Sequence, residues 1–115
     1  MTFTEAVGSV FSKYAVFRGR APRSEFWWFA LFNIVLSFVA GLIDAAFTNG
    51  DVLAIVYSLA VFLPGLAVAV RRLHDIDRSG WWLLIGFIPL AGWVILIYWY
   101  IQEGTLGANQ FGPAV

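Results

Sequence analysis

Residues 52–72 read VLAIVYSLAVFLPGLAVAVRR, in which nineteen uncharged and mostly apolar residues are followed by two arginines. At about 1.5 Å per residue, a helix over residues 52–70 is about 28 Å long, close to the roughly 30 Å hydrocarbon core of a bilayer. Residues 26–47 and 81–101 are two further runs of this kind, and none of the three contains a lysine or arginine. Because lipid cannot satisfy open backbone groups, the runs predict three transmembrane helices.

The composition agrees with a small all-α membrane protein. Hydrophobic residues make up 61% of the 115-residue chain and charged residues only 12%. This length allows one domain, so residues 1–115 are expected to form a single membrane domain with an irregular tail over residues 102–115. The formal net charge is zero and there is no cysteine, which argues against a nucleic-acid partner and excludes disulfides and thiolate chemistry.

The basic residues are distributed asymmetrically around the three runs. Four precede the first run and three lie between the second and third, namely Lys13, Arg18, Arg20, Arg23, Arg71, Arg72 and Arg78. The loop at residues 48–51 and the tail have none. Since basic residues stay on the cytoplasmic side when loops are short, we expect a multi-pass protein with a cytoplasmic N-terminus and a periplasmic C-terminus.

The first residues predict an amphipathic helix over residues 2–17. Apolar side chains recur on one helical face, at Phe3, Val7, Val10, Phe11 and Tyr14. Thr2 followed by Glu5 has the spacing of a capping box. We expect this helix to lie flat in the cytoplasmic interface of the membrane, and the alternative is that it packs against the end of the bundle.

The polar segments on the predicted cytoplasmic side form the candidate site. Its members are Arg18, Arg20, Arg23, Glu25, Arg71, Arg72, His74, Asp75, Arg78, Trp81 and Trp82. Arginine binds phosphate oxygens bidentately, so the site suits anionic lipid head groups. The alternative is structural, with arginines pairing with Glu25 and Asp75 to hold the two segments together.

The sequence does not indicate an enzyme. His74 is the only histidine, its neighbour Asp75 does not face it on a helix, and no zinc spacing, nucleophile elbow or phosphate-binding glycine loop is present. We therefore expect no catalytic residue, metal or cofactor. Pro64 and Pro89 predict helix kinks, which are either ordinary or part of a solute or ion pathway through an oligomer. Asp44, near the outer end of the first run, is expected to snorkel to the interface.

Three motifs resemble the bacterial membrane-protein family filed as domain of unknown function 805. They are FRGRAPRSEFW at residues 17–27, RRLHD at residues 71–75 and RSGWW at residues 78–82. Asp77 stands where that family more often has glycine. The resemblance implies a small bacterial inner-membrane protein and implies no reaction, substrate or cofactor. We expect a non-enzymatic module that binds anionic lipid head groups or docks as an accessory subunit on a larger membrane-protein complex. The expected protein partner is either such a complex or further copies of this chain in a homo-oligomer.

Overall fold

The computed structural model describes all 115 residues, and its regular secondary structure is entirely helical. Four α-helices follow one another as α1 (Phe3–Ser12), α2 (Arg23–Phe47), α3 (Val52–Asp75) and α4 (Ala91–Ile101). A 3₁₀ segment, Gly80–Phe87, lies between α3 and α4. The absence of strands agrees with the predicted all-α class, and residues 102–115 contain no helix.

Helices α2 and α3 form an antiparallel pair and are the two elements long and apolar enough to cross a membrane. At 25 and 24 residues, they are about 37 Å long. Only 11% and 17% of their most apolar stretches are buried within the protein, so these surfaces are not the interior of a soluble domain. The predicted spans at residues 26–47 and 52–70 correspond to these helices, and α3 continues to Asp75.

The third predicted span is not one helix. The 3₁₀ segment ends at Phe87, and α4 begins only after Leu90, whose φ of 64° lies in the left-handed region. With 11 residues, α4 is about 16 Å long, roughly half the thickness of the hydrocarbon core. The prediction of a continuous helix over residues 81–101 is therefore wrong, because Pro89 has no backbone N–H to continue a helix and the next residue reverses the chain.

The chain folds back at this reversal to form a hairpin, which we call the 80–101 hairpin. A Cβ added at Gly92 would lie 1.7 Å from the carbonyl oxygen of Ile85, so only glycine allows the two arms to approach this closely. Nε1 of Trp93 donates a hydrogen bond to the carbonyl of Gly86 at 2.9 Å. Both ends of the hairpin consequently lie at the same end of the molecule.

The C-terminal tail therefore returns to the end of the bundle that bears the basic residues. Arg72 Nε donates to the carbonyl of Tyr100 at 3.3 Å, and the Thr105 N–H donates to the carbonyl of Asp75 at 2.7 Å. The structure contradicts the predicted placement of the tail on the side opposite the N-terminus. The physical reason is the hairpin, in which the chain leaves this end of the molecule along the 3₁₀ segment and returns to it along α4.

Helix α1 begins as predicted and ends at Ser12, earlier than the expected residue 17. The Thr2 and Glu5 side chains each bond the backbone N–H of the other, at 3.2 and 3.0 Å, which completes the capping box. Its apolar stripe faces α2, with the Phe3 ring edge-on to Trp28 at 5.7 Å and Val10 fully buried. Helix α1 thus packs against the bundle, while Phe3, Phe11 and Tyr14 of the stripe stay exposed, so its position in the membrane interface stays a prediction.

Candidate functional site

Five side chains from the sequence motifs form a buried ion cluster at the basic end of the helix pair. They are Arg20, Glu25, Arg71, Arg72 and Asp75, and none is more than 4% exposed. Arg20 and Glu25 come from the segment around the start of α2, whereas the other three occupy the last turns of α3. Burying an ion is costly unless it is paired, so the partners of each group decide whether this cluster can exist.

Asp75 is the centre of the first half of the cluster. Its Oδ1 accepts from Nε and Nη2 of Arg20 at 2.9 and 2.8 Å, and its Oδ2 accepts from Nη1 of Arg72 at 2.8 Å. The Arg72–Asp75 pair has the i, i+3 spacing expected from the sequence. One carboxylate thus serves two guanidinium groups from two segments of the chain.

The second half of the cluster joins α1, α2 and α3. Nη1 of Arg71 lies 2.6 Å from Oε2 of Glu25, which also accepts from Oγ of Ser9 at 3.2 Å. The backbone carbonyl of Arg71 accepts from the Ala21 N–H at 3.0 Å. The Nε of the Arg71 side chain donates to the Val16 carbonyl at 3.2 Å. The predicted structural pairing of arginines with Glu25 and Asp75 is thus present in the structure.

Backbone carbonyls of the tail satisfy the remaining donors of Arg20. Its Nη1 and Nη2 donate to the carbonyls of Gly107 and Thr105, each at 2.6 Å. The tail can approach this closely because residue 104 is glycine, where a Cβ would lie 2.1 Å from Oδ2 of Asp75. Sequence reasoning missed these contacts, since backbone acceptors leave no signature in the residue pattern.

The last carbonyls of α4 are held in the same way. Arg72 donates to the carbonyls of Tyr100 and Gln102, and Nη1 of Arg23 donates to that of Ile101 at 3.1 Å. A helix leaves its final carbonyls without partners and has a partial negative charge at this end. The guanidinium groups therefore satisfy both the hydrogen-bonding and the electrostatic needs of the α4 terminus.

His74 connects the loop before α2 to the tail. Its Nδ1 lies 2.9 Å from the carbonyl oxygen of Gly19, and its ring stacks on that of Phe111 with 4.0 Å between centroids. Nδ2 of Asn109 donates to the His74 carbonyl at 2.9 Å. Gly19 has a φ of 88°, which explains why a glycine occupies this turn.

The other predicted site residues stay outside the buried cluster. Arg18 and Arg23 are exposed, and Arg78 is half-buried with its guanidinium 4.2 Å from the centroid of the Trp99 ring. Trp81 and Trp82 are also exposed. The predicted belt thus divides into the buried ion cluster and a set of outer cations, which we define as Arg18, Arg23 and Arg78.

Asp44, at the opposite end of the helix pair, caps α3. Its two carboxylate oxygens accept from the backbone N–H groups of Leu53 and Ala54, each at 2.9 Å. Asp44 is only 2% exposed, so the expected snorkelling to the interface is wrong. An acidic side chain at a helix N-terminus is stabilised by the free N–H groups and by the helix dipole.

A model of the family described as "Protein of unknown function (DUF805)" matches residues 14–113. The chain belongs to this family. The match confirms the resemblance drawn from the motifs, and it includes the buried ion cluster, the 80–101 hairpin and nearly all of the tail. Helix α1 lies before the matched range.

Three relatives from Escherichia coli (strain K12) illustrate the family. The inner membrane protein YhaH is 49% identical over 109 residues, which cover 90% of either chain. The inner membrane protein YhaI is 44% identical over 105 residues, covering 90% of this chain and 89% of the relative. The uncharacterized protein YiiR is 36% identical over 96 residues, covering 77% of this chain and 60% of the relative. No solved structure matches the chain.

Family membership and the two long apolar helices identify a membrane protein. The DUF805 description assigns no reaction, and the names of YhaH and YhaI give a location and nothing more. Any activity must therefore be argued from the arrangement of this chain's own residues.

Proposed function

We propose that this DUF805 protein crosses the bacterial inner membrane twice, through α2 and α3, and inserts the 80–101 hairpin from the cytoplasmic side. The support is the distribution of charge at the two ends of the helix pair. All seven basic residues lie at the end that also holds the tail, and the loop at residues 48–51 has none. Under the positive-inside rule, that end is cytoplasmic and both termini share it.

Reporter fusions distinguish this topology from three crossings. A fluorescent protein fused after Val115 should fluoresce and alkaline phosphatase at the same position should be inactive, because the phosphatase folds only outside the cytoplasm. The same reporters inserted at Gly50 should give the opposite result. Active phosphatase after Val115 would restore the three-crossing topology and contradict the proposal.

We further propose that the protein is a non-enzymatic module whose outer cations hold anionic lipid head groups. The observation that carries this role is the division of the arginines. Arg20, Arg71 and Arg72 are buried and paired within the protein, so they serve as a scaffold, whereas Arg18, Arg23 and Arg78 stay at the surface of the same end.

The surroundings of the outer cations suit a membrane surface. The exposed rings of Trp27, Trp28 and Trp81 follow Arg23 or Arg78 by three to five residues in the chain, and indoles prefer the head-group region. Each basic side chain near an anionic leaflet contributes about 1 kcal/mol of attraction. This attraction requires no pocket, only accessible charge at the correct depth.

Native mass spectrometry of the protein in mild detergent tests this role. We expect retention of phosphatidylglycerol or cardiolipin over phosphatidylcholine, and the double variant Arg18→Gln, Arg78→Gln should reduce the preference about 30-fold, the equivalent of roughly 2 kcal/mol. The matched control Arg18→Lys, Arg78→Lys keeps both charges and should keep the preference. Equal retention of neutral lipid by the unaltered protein would contradict the proposal.

Docking on a membrane-protein partner, either a larger complex or a second copy, is a second role with its own support. The turn of the 80–101 hairpin exposes 84% of Phe87 and 72% of Leu90, and its backbone is not helical. Irregular backbone at membrane depth is tolerated where protein covers it. A photo-crosslinker in place of Phe87 should capture a protein in intact membranes, and capture of lipid alone would remove this role. A solute or ion pathway through such an oligomer stays a prediction, for which liposome permeability is the measurement.

A further inference from the structure

The geometry points to a binding site for a single-chain amphiphile with a hydroxyl head group, in a cleft between α3 and the 3₁₀ segment. The cleft has a volume of about 490 Å³, within the range of small-molecule sites. It is separate from the buried ion cluster and from the outer cations. We call it the α3 cleft.

The walls of the α3 cleft are apolar along most of its length. Leu66 and Val70 line it from α3, and Leu83 and Leu84 line it from the 3₁₀ segment. His74, at the polar end, is eight residues or about 12 Å further along α3 than Leu66. The cleft therefore runs from the basic end of the protein into the depth of the hydrocarbon region, the path that a lipid chain would take.

The polar end of the cleft offers one hydrogen-bond acceptor. Nδ1 of His74 is 2.9 Å from the Gly19 carbonyl, which can only accept, so Nδ1 carries the hydrogen in the neutral ring. The other ring nitrogen, Nε2, is then an acceptor and has no partner within the chain. His74 lines the cleft and is only 9% exposed.

Ser79 supplies a hydrogen-bond donor at the same end. Its Oγ accepts from the Trp81 N–H at 3.3 Å, which leaves the hydroxyl hydrogen free to donate. An acceptor and a donor together match a hydroxyl group, which can donate to Nε2 of His74 and accept from Ser79. Ethers, esters and ionised phosphates only accept, so they leave the imidazole nitrogen without a partner. This complementarity selects a head group with a free hydroxyl, as in a lipid alcohol, a monoacylglycerol or a long-chain quinol, over an ether or ester head group that can only accept.

Photolabelling of the full-length protein in detergent with a diazirine-bearing long-chain alcohol tests the site. We expect the label on peptides that line the α3 cleft, and competition by unlabelled alcohol of equal length. The methyl ether of that alcohol should compete about two- to tenfold less well, the net effect of one neutral hydrogen bond. Monoacylglycerol and alkyl quinol, used as separate competitors, then distinguish the two natural sources of the hydroxyl. Equal competition by alcohol and ether would overturn the proposal.

Two substitutions on α3 provide the matched comparison. Leu66→Trp fills the cleft and should lower labelling at least tenfold, whereas Leu63→Trp, on the same helix and of similar exposure but outside the cleft, should not. Leu84→Trp fills the cleft from the other wall if the first variant does not fold. Equal labelling of Leu66→Trp and Leu63→Trp would contradict the site.

Two further variants identify the polar end and separate this site from lipid binding at the outer cations. Ser79→Ala should weaken competition by the alcohol and by the ether about equally, because both oxygens accept from the Ser79 hydroxyl and only the alcohol donates to His74. Arg18→Gln should leave labelling unchanged, because Arg18 lies outside the cleft. A loss of labelling in Arg18→Gln would mean that the probe binds beside Arg18, and it would overturn the cleft as its site.

Discussion

Replacing Asp75 by asparagine removes the one negative charge that two buried guanidinium groups share. Its oxygens lie 2.8 Å from Nη2 of Arg20 and 2.8 Å from Nη1 of Arg72, and all three side chains are nearly inaccessible to water. Asparagine keeps the shape, so no cavity forms and the effect is electrostatic. Removal of one partner from a buried ion pair costs about 3–5 kcal/mol, because the remaining charge stays buried without compensation.

We therefore expect Asp75→Asn to lower the free energy of unfolding by about 3–5 kcal/mol. SDS titration of the protein in mild-detergent micelles, followed by tryptophan fluorescence, measures this change. Asp77→Asn is the matched control, because Asp77 is exposed, two residues away, and its φ of 63° suits asparagine as well as aspartate. Unfolding of both variants at the same SDS fraction would refute the assignment of Asp75 as the centre of the cluster.

Two other substitutions test the close approach of the tail and the cap of α3. Gly104→Ala places a Cβ about 2 Å from Asp75 and should make residues 102–115 more sensitive to limited proteolysis. Gly50→Ala is the control, because a Cβ there meets nothing within 4 Å and the tail should keep its resistance. Equal cleavage of the two variants would show that the tail is held elsewhere. Asp44→Asn weakens the α3 cap and should cost about 0.5–2 kcal/mol in the same SDS titration. Asp51→Asn is its control, because Asp51 precedes α3 without a side-chain bond to it, and equal losses would contradict a capping role for Asp44.

The sequence predicted the two long helices well because their length and apolarity are physical requirements of a bilayer. The predicted spans at residues 26–47 and 52–70 correspond to the helices Arg23–Phe47 and Val52–Asp75. The prediction of a continuous helix failed for residues 81–101, because an apolar sequence is compatible with any conformation that lipid can surround. Pro89 predicted a kink, but a kink and a complete reversal share the same sequence signal, and the positive φ at Leu90 has none.

The candidate site was predictable only where both partners are charged side chains. The spacing of Arg72 and Asp75 on one helix indicated their pair, and opposite charge indicated Glu25 as a partner for arginine. The long-range contact between Arg20 and the tail could not be predicted, because its acceptors are backbone carbonyls that every residue carries. The same limitation applies to Asp44, whose partners are two backbone N–H groups of α3.

The buried ion cluster and the 80–101 hairpin depend on each other. If residues 81–101 crossed the membrane as one helix, the carbonyls of Tyr100 and Gln102 would lie about 30 Å away from Arg72, across the hydrocarbon core. The Arg72 guanidinium would then keep Asp75 but lose its backbone acceptors, and a buried charged donor without a partner costs more than the 1–3 kcal/mol of a neutral one. Apolarity alone permits three crossings, and the need to satisfy the buried arginines selects the hairpin. Weakening the cluster should therefore also release the hairpin and let residues 81–101 cross the membrane. We expect Asp75→Asn to increase the activity of an alkaline phosphatase fused after Val115. Inactive phosphatase in a variant shown to be destabilised would separate the two features and refute this dependence.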